Sequence, residues 1–369
     1  MENDTVPVAG LRAAGFGDEV ENVATAVAGY LDDGAGGNVA VISEPYAGRD
    51  SLLAYAASLL EEDATWIDLD PSAADGTGPP LPGDEDYVDP TDDETSDDET
   101  PDATDDGGDA PGAGAVIVAN CHYLFERRID GFEALDAFLD RIALSDALVI
   151  TSWNRYAWSY LDAVRDVGDS FTTQVEIPRL DADEISAVIE GHYGPDLPDV
   201  IDAGRAGRVK TVVFDRHPVA LPRGRSVGIP YPKPNTAWVA SWSIAGDEES
   251  VEAVLYEKLR RVSNGNPGVA IATWDESVRD GEIAPGYVEA FTADIDLDTD
   301  AAVLLWTVIS MERVDIDRVA AAWSDRPVET SLQHLVERDL VTVDGSAVSI
   351  RPEALHVAIG ALERRGLLW

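Results

Sequence analysis

Apolar residues along the chain fall into short continuous runs separated by stretches with helical spacing. Runs of strand length predict five buried strands, at Asn38–Ser43, Ala64–Leu69, Gly114–Ala119, Ala147–Ser152 and Thr173–Pro178. Helical spacing predicts helices near Asp18–Leu31, Ser51–Glu62, Phe132–Ala143, Trp153–Val167 and Asp183–His192. Strands that alternate with helices in this way are typical of a parallel sheet covered on both faces, so the pattern predicts an α/β core.

Two stretches break the alternation, and both are interpreted as insertions. Residues 71–113 include Asp84–Asp109, which is dense in acidic residues and contains no basic one. Because such a segment buries too little apolar surface to order itself, we predict a disordered insertion, either a solvated loop or an acidic interaction tail. Residues 195–247 are rich in proline and glycine, with strand-like runs at Thr211–Phe214 and Ala237–Trp242.

The C-terminal part of the chain predicts two further units after the α/β domain of residues 1–193. A helix near Glu248–Val262 and the turn Gly265–Gly268 mark a helical lid within residues 194–296. Residues 297–369 predict three helices, a hairpin around Asp344-Gly345 and a last helix, at Thr299–Met311, Ile316–Trp323, Val328–Glu337, Leu340–Ile350 and Pro352–Arg364. This is the element order of a winged helix-turn-helix.

The charge balance is extreme, with 71 acidic and 26 basic residues and a formal net charge of −45. Such acidity opposes binding to nucleic acid or anionic membranes. It also suits a protein adapted to molar salt, where the Debye length of about 3 Å screens self-repulsion. Since lysine is nearly absent, we predict a halophilic source, and the net charge then says little about function.

The cysteine content and the hydropathy of the chain bear on the cellular compartment in which the protein is found. The single cysteine, Cys121, excludes an internal disulfide and a multi-cysteine zinc site. No apolar run reaches the length of about 18 residues expected of a transmembrane helix, and the first residues lack the pattern of a signal peptide. We therefore expect a cytoplasmic protein that does not contact a membrane.

The segment Ser43–Ser51, SEPYAGRDS, joins the first predicted strand to a helix. A Walker A loop, G-x-x-x-x-G-K-[ST], lies in the same context and holds phosphates with its backbone N–H groups. Gly48 matches the second glycine, whereas Ser43, Arg49 and Asp50 replace the first glycine, the lysine and the hydroxyl residue. Arginine keeps the positive charge, but a carboxylate about 4 Å from a phosphate costs roughly 1–4 kcal/mol. An ordinary strand–turn–helix connection is the alternative interpretation.

Three further segments contain polar residues at matching positions. The strand of VIVANCHYL ends in Ala119 and Asn120, where STAND-type NTPases carry two carboxylates; His122 follows and more plausibly packs locally. The strand ALVITSWN resembles a sensor-1 strand, with Thr151, Ser152 and Asn154 as polar candidates. The segment SNGNPG resembles the start of a lid helix, with Gly265, Asn266 and Pro267 matching. In addition, Ala14–Leu31 resembles the linker that precedes the P-loop, with Phe16, Gly17 and Glu19 matching.

The order of these segments and the trailing winged helix resemble P-loop NTPases of the AAA+/STAND type, including archaeal STAND ATPases and replication-initiator ATPases. The resemblance implies ATP or ADP as cofactor, with Mg²⁺, and a site between loop, sensor strand and lid. It assigns nucleotide binding to Ser43, Glu44, Pro45, Tyr46, Ala47, Gly48, Arg49, Asp50 and Ser51. Ser51 would bind Mg²⁺ only if the loop shifted register. Asn120 would orient the attacking water but could not accept its proton, so we expect slow hydrolysis or none.

Three functions follow as hypotheses. The first is a nucleotide switch that sets the angle between core, lid and winged helix. The second is a pseudo-ATPase scaffold for a protein partner. The third is a DNA-associated regulator, which the residues do not favour, because the exposed positions of Val328–Glu337 include Glu329, Gln333 and Glu337 and only Arg326 and Arg338 flank the helix.

Overall fold

The computed structural model describes residues 15–34, 36–60, 64–75, 78–82, 114–128, 130–202, 212–221, 225–234, 250–293, 295–323 and 328–368. The acidic stretch Asp84–Asp109, the predicted strand Ala237–Trp242 and Arg326 lie outside these ranges. Among the described residues, no helix combines the length and the hydropathy needed to cross a membrane.

The core is a five-stranded sheet whose strands all run parallel. Its strands are β1 (Gly37–Ser43), β2 (Ala64–Asp68), β3 (Ala115–Ala119), β4 (Leu148–Asn154) and β5 (Thr173–Glu176), in the spatial order β2-β3-β4-β1-β5. Ser43 pairs with Asn154, and Asp68 pairs with Ala119, so the strands end together at one edge. The predicted α/β class with a parallel sheet is confirmed.

Helices cover both faces of this sheet, because successive residues of a strand point to opposite sides. In β1, Val39 and Val41 belong to one apolar cluster, and Ala40 and Ile42 belong to another. The first cluster packs against α1 (Gly17–Asp33), α2 (Arg49–Leu60) and α5 (Ala182–Tyr193), and the second against α3 (Glu133–Leu144) and α4 (Arg155–Arg165). Leu81, within the predicted insertion 71–113, is buried in the second cluster.

One predicted boundary is wrong at the end of β4. The sequence pattern predicts a helix from Trp153, but the strand continues through Asn154 and α4 begins at Arg155. The Oδ1 atom of Asn154 accepts hydrogen bonds from the backbone N–H groups of Tyr156 (2.8 Å) and Ala157 (3.3 Å). Asn154 is therefore the N-cap of α4, and a cap lies outside its helix.

The region predicted to be a lid, residues 194–296, follows the core. The short strands β6 (Asp199–Val200) and β9 (Glu282–Ile283) pair in parallel, and β7 (Val212–Leu221) and β8 (Arg225–Pro234) form an antiparallel ribbon. The strand β8 was not predicted. The helices α6 (Val251–Ser263) and α7 (Pro267–Ser277) pack on the first face of the core.

The C-terminal unit has its own apolar core. It contains α8 (Thr299–Met311), β10 (Arg313–Asp315), α9 (Ile316–Ala322), α10 (Val328–Glu337), β11 (Val341–Asp344), β12 (Ala347–Ile350) and α11 (Leu355–Glu363). The strands form an antiparallel sheet in the order β10-β12-β11. The strand β10 was missed, because three residues carry no detectable periodicity. The interpretation of this unit as a winged helix stays a prediction.

Candidate functional site

The loop between β1 and α2 lies at the carboxyl edge of the parallel sheet. Its backbone has positive φ angles at Tyr46 (65°) and Gly48 (89°). Glycine adopts this conformation without strain, and a Cβ atom on Gly48 would meet nothing within 4 Å. The N–H of Ala47 donates to the carbonyl of Glu44 (3.2 Å), and α2 begins at Arg49. The loop is thus a tight turn with open space beside Gly48, as a phosphate loop requires.

Arg49, at the position predicted for the Walker A lysine, is paired with a carboxylate of the same chain. Its Nη1 and Nη2 atoms donate to Oε1 (2.5 Å) and Oε2 (2.7 Å) of Glu312, in the C-terminal unit. Nη2 also donates to Oδ1 of Asn120 (2.9 Å). The side chain of Arg49 is 8% exposed and that of Glu312 is 23% exposed. A bidentate pair of this kind is the geometry in which arginine binds carboxylates and phosphates most strongly.

Glu312 reaches this position from the end of α8. Its φ angle is 58°, so the chain turns sharply after the helix. The Nδ2 atom of Asn154 donates to Glu312 Oε1 (2.8 Å) and to the carbonyl of Ile309 (2.8 Å). Burial acts to raise the pKa of Glu312, but the charge of Arg49 and its hydrogen bonds outweigh it and hold the pKa below the usual value. The pair is therefore ionised.

Both ends of the side-chain amide of Asn120, the predicted catalytic residue, form hydrogen bonds with other side chains. Oδ1 accepts from Arg49, Nδ2 donates to Oδ1 of Asp68 (2.8 Å), and the backbone N–H donates to Oγ of Ser152 (2.9 Å). Asp68 ends β2 beside Ala119. The carboxylate of Asp68 therefore lies next to Ala119 and Asn120, the positions where the STAND-type motif would carry its own carboxylates. Its Oδ1 atom is already bonded to the amide of Asn120.

The start of the loop contains a second buried carboxylate. Glu44 is 5% exposed and accepts hydrogen bonds from Nη2 of Arg179 (2.7 Å) and from the hydroxyl of Tyr156 (3.2 Å). Burial acts to lower the pKa of Arg179, but its hydrogen bond and charge interaction with Glu44 raise it. Arg179 thus balances a negative charge inside the predicted phosphate loop.

The predicted lid contacts the loop directly. The Nδ2 atom of Asn266 donates to the carbonyl of Pro45 (2.8 Å), and the N–H of Gly268 donates to the carbonyl of Tyr46 (3.0 Å). A Cβ atom on Gly268 would lie 2.5 Å from that carbonyl oxygen. The hydroxyl of Tyr46 donates to the carbonyl of Ile350 in the C-terminal unit (2.6 Å). Core, lid and C-terminal unit therefore meet at this loop.

The remaining predicted residues of the loop and of the sensor strand make local contacts within the core. The hydroxyl of Ser43 donates to the carbonyl of Glu44 (2.9 Å), and that of Thr151 donates to the carbonyl of Val39 (2.9 Å), inside the sheet. Ser51 is buried in the first turn of α2. Burial raises the pKa of Asp50, which lies 4.0 Å from Arg49.

The lid-start residues have structural roles as well. Gly265 has a φ angle of 76°, and its carbonyl accepts from the N–H of Leu180 (2.8 Å). Pro267 occupies the first turn of α7, after the cap Asn266. Within the described ranges, no group of three or more His, Cys, Asp or Glu residues is placed to hold a metal ion. A role of Ser51 in binding Mg²⁺ stays a prediction.

Sequence reasoning missed the two carboxylate partners that organise this site, Glu312 and Asp68. Neither belongs to a motif. One feature of the sequence could have pointed to Glu312. It is a charged residue that directly follows α8, and most residues of that helix (TDAAVLLWTVISM) are apolar. A carboxylate at the end of such a buried helix needs a partner, but the sequence does not say which one.

The predicted DNA-contacting face has little free positive charge. Arg338 donates to the carbonyls of His334 (3.1 Å) and Asp296 (3.3 Å). Glu329, Gln333 and Glu337 are exposed on α10. The described residues of this face therefore do not favour contact with phosphates, and Arg326, the other predicted cation, lies outside the described ranges.

Solved structures provide a comparison for this arrangement. The RuvB Holliday junction branch migration motor of Thermotoga maritima is 11% identical, with 92% of this chain and 93% of that chain covered and a TM-score of 0.40. The ORC2 protein of Aeropyrum pernix, solved in ADPNP–ADP complexes, is 12% identical over 99% of this chain and 97% of that chain (TM-score 0.41). Cdc6p from Pyrobaculum aerophilum is 13% identical, with the same coverage and a TM-score of 0.40.

The chain is thus similar to these three proteins over more than nine tenths of its length, but at TM-scores of 0.40 to 0.41 and identities of 11% to 13%. The resemblance to P-loop NTPases of the AAA+/STAND type that the sequence motifs suggest stays a prediction. No protein-family model matches the sequence, and no curated protein matches it. At these identities, the function of the parallel-sheet core has to be argued from its own side chains.

Proposed function

We propose that the protein is an AAA+-like regulatory switch that binds ATP or ADP and hydrolyses ATP slowly or not at all. The observation that carries this proposal is the bidentate hydrogen bonding of Arg49 to Glu312, next to the tight turn at Gly48 in the predicted phosphate loop. In this proposal, the carboxylate of Glu312 stands where a nucleotide phosphate would meet the guanidinium of Arg49. Nucleotide phosphates and the C-terminal unit then compete for the same guanidinium.

The donors around Glu312 suit a phosphate equally well. Two guanidinium N–H groups of Arg49 and the amide of Asn154 converge on its carboxylate. A planar guanidinium binds carboxylate and phosphate oxygens in the same bidentate manner. Because Glu312 is tethered, its effective concentration at the loop is in the millimolar range or above. A nucleotide must therefore bind a rearranged state in which α8 has withdrawn.

Slow hydrolysis follows from the groups around the expected attacking water. Asn120 cannot accept a proton, and both ends of its amide are engaged with Arg49 and Asp68. The neighbouring strand position holds Ala119. The nucleotide would thus act by shifting the position of the C-terminal unit, with a protein partner as the receiver of that change. A cytoplasmic location agrees with this role.

Calorimetry on a matched pair of variants tests the competition. ADP and ATP with Mg²⁺ are titrated, in molar KCl, into the wild type, Glu312→Gln and the control Glu289→Gln, an exposed glutamate outside the site. Removing the internal competitor should strengthen nucleotide binding at least about tenfold, which corresponds to about 1.4 kcal/mol. Glu289→Gln should bind as the wild type does. Phosphate release should stay near background in all three proteins.

A pseudo-ATPase scaffold is the second candidate, and the contacts between lid and loop favour it. The side chain of Asn266 donates directly to the carbonyl of Pro45, and the N–H of Gly268 donates directly to the carbonyl of Tyr46, so these contacts hold the lid against the loop. If neither the wild type nor Glu312→Gln shows heat or a thermal shift with nucleotide, the switch is excluded and the scaffold stands. Gly48→Val should then change stability alone, because Gly48 has a φ angle that β-branched residues avoid.

A further inference from the structure

An apolar cleft lies between the core and the C-terminal unit, beside the 3₁₀ turn Cys121–Leu124 that follows β3. We propose that this cleft docks an acidic segment of a partner protein that inserts two apolar side chains. The inference goes beyond the nucleotide switch and does not depend on it.

The cleft has large apolar walls. Phe125 contributes from the core, Trp306 and Met311 from α8, and Val319 and Trp323 from α9 and its end. It encloses about 620 Å³, including space open to solvent. The lining is mainly apolar and aromatic, and aromatic pockets are where the anchor residues of interfaces concentrate.

A second hollow adjoins the first and indicates an extended occupant. Its empty space is about 380 Å³, a figure that includes space open to solvent, and it shares Arg127 and Trp306 with the cleft, with Tyr160 and Leu367 on its far side. The guanidinium of Arg127 lies 4.5 Å from the ring centroid of Trp306 and 5.2 Å from that of Tyr160. The side chain of Arg127 thus separates the two hollows. Two hollows separated in this way fit two side chains of a peptide better than one compact ligand.

The rim supplies the charge that selects the partner. The lining includes four arginines against two carboxylates, although the whole chain has a net charge of −45: Arg127, Arg128, Arg313, Arg318, Glu126 and Asp315. Arg128 and Arg318 both pair with Glu126, whereas Arg127 and Arg313 are exposed. A local cluster of cations on a chain this acidic complements a partner that carries carboxylates.

Fluorescence anisotropy with synthetic peptides tests the proposal on the full chain. The probes are a labelled peptide of alternating aspartate and leucine with one tryptophan, and its counterpart with lysine in place of aspartate. The acidic peptide should bind and the basic one should not. Arg127→Glu/Arg313→Glu should raise the Kd of the acidic peptide at least about tenfold, since two favourable charge contacts become repulsive. Arg261→Glu, an exposed arginine on α6, should leave it unchanged.

Mapping the contact keeps the test independent of the folding of the charge-reversal variant. A photo-crosslinking version of the acidic peptide should label residues within 125–128 and 306–323 of the wild type, identified by mass spectrometry. Labelling elsewhere, equal binding of acidic and basic peptides, or unchanged affinity in a folded double variant would each overturn the proposal. A wild-type dimer that Arg313→Glu dissociates would assign the cleft to a second copy and would overturn it too.

Discussion

At the scale of single residues, the Arg49–Glu312 pair joins the loop between β1 and α2, the predicted phosphate loop, to the C-terminal unit. Both side chains are largely removed from solvent, with 8% and 23% of their surface exposed. A pair of this kind adds little net stability, but the removal of one partner leaves a charge without compensation. The pair is therefore better described as a specific contact that sets the position of α8 than as a source of stability.

Arg49→Ala should lower the free energy of unfolding by about 2–3 kcal/mol, somewhat less than for a fully buried pair because Glu312 keeps part of its hydration. Urea unfolding in molar KCl measures the change. The double variant Arg49→Met/Glu312→Leu should lose less than Arg49→Ala alone, since it leaves no unpaired charge. A double variant that is less stable than Arg49→Ala would contradict the account of the pair as a positional contact.

His122 provides a pH dependence with a defined sign. It is fully buried beside Tyr123, and burial lowers its pKa to about 3, against an ordinary value of 6.5. The unfolded chain takes up a proton below pH 6.5, whereas the folded chain does so only near pH 3. Stability should therefore fall as the pH decreases from 6.5 to 3, by up to about 1.4 kcal/mol per pH unit from this residue.

The variant His122→Leu isolates this contribution. The difference in unfolding free energy between wild type and variant should change steadily over that pH range and be constant above pH 7. Glu312, whose pKa is lowered in the fold, still destabilises the variant in acid. A difference curve that is flat from pH 6.5 to 3 would show that His122 is not buried in its neutral form.

At the scale of elements, the end of β4 couples the sheet to the C-terminal unit. Asn154 caps α4 through Oδ1 and holds Glu312 and the carbonyl of Ile309 through Nδ2. One side chain therefore ends a strand, begins a helix and contacts α8. The predicted sensor role of Asn154 and this structural role share the same amide.

Asn154→Asp separates the two functions of that side chain. Aspartate caps a helix as well as asparagine does, but it lacks the amide donor and places a carboxylate beside Glu312. We expect a lower melting temperature by several degrees, from a loss of about 1 kcal/mol or more. The matched control is Asp181→Asn at the cap of α5, which should melt near the wild type. Equal melting of the two variants would contradict the contact with α8.

At the scale of the whole molecule, the net charge of −45 opposes the folded state. Carboxylates crowd the described surface, and cations are few enough that several arginines contact more than one acidic group, as Arg351 does with Glu276, Asp339 and Glu353. Screening by salt is then the main way to reduce the remaining repulsion.

The melting temperature should rise markedly between about 0.1 M and 1 M KCl, because the Debye length shortens from about 10 Å to about 3 Å. Differential scanning fluorimetry measures it. Sucrose at matched osmolarity serves as the control, since it strengthens burial without screening charge. A protein that melts at the same temperature in low and high salt would contradict the adaptation to molar salt.

Local pattern was sufficient to predict much of this architecture. The strands β1–β5 and the helices α8 and α10 match their predicted positions closely, because strand and helix periodicity arise from each segment's own residues. The turn at Gly48 was also predictable, since a glycine between a buried strand and a helix marks a loop with unusual backbone angles.

The state of the site depends on contacts between distant parts of the chain. Arg49 and Glu312 are 263 positions apart, and Tyr46 and Ile350 are 304 positions apart. No local periodicity encodes such pairings, because they arise only when core, lid and C-terminal unit pack together. The residue types therefore predicted a phosphate loop, and the packing of the three units placed the carboxylate of Glu312 against the guanidinium of Arg49.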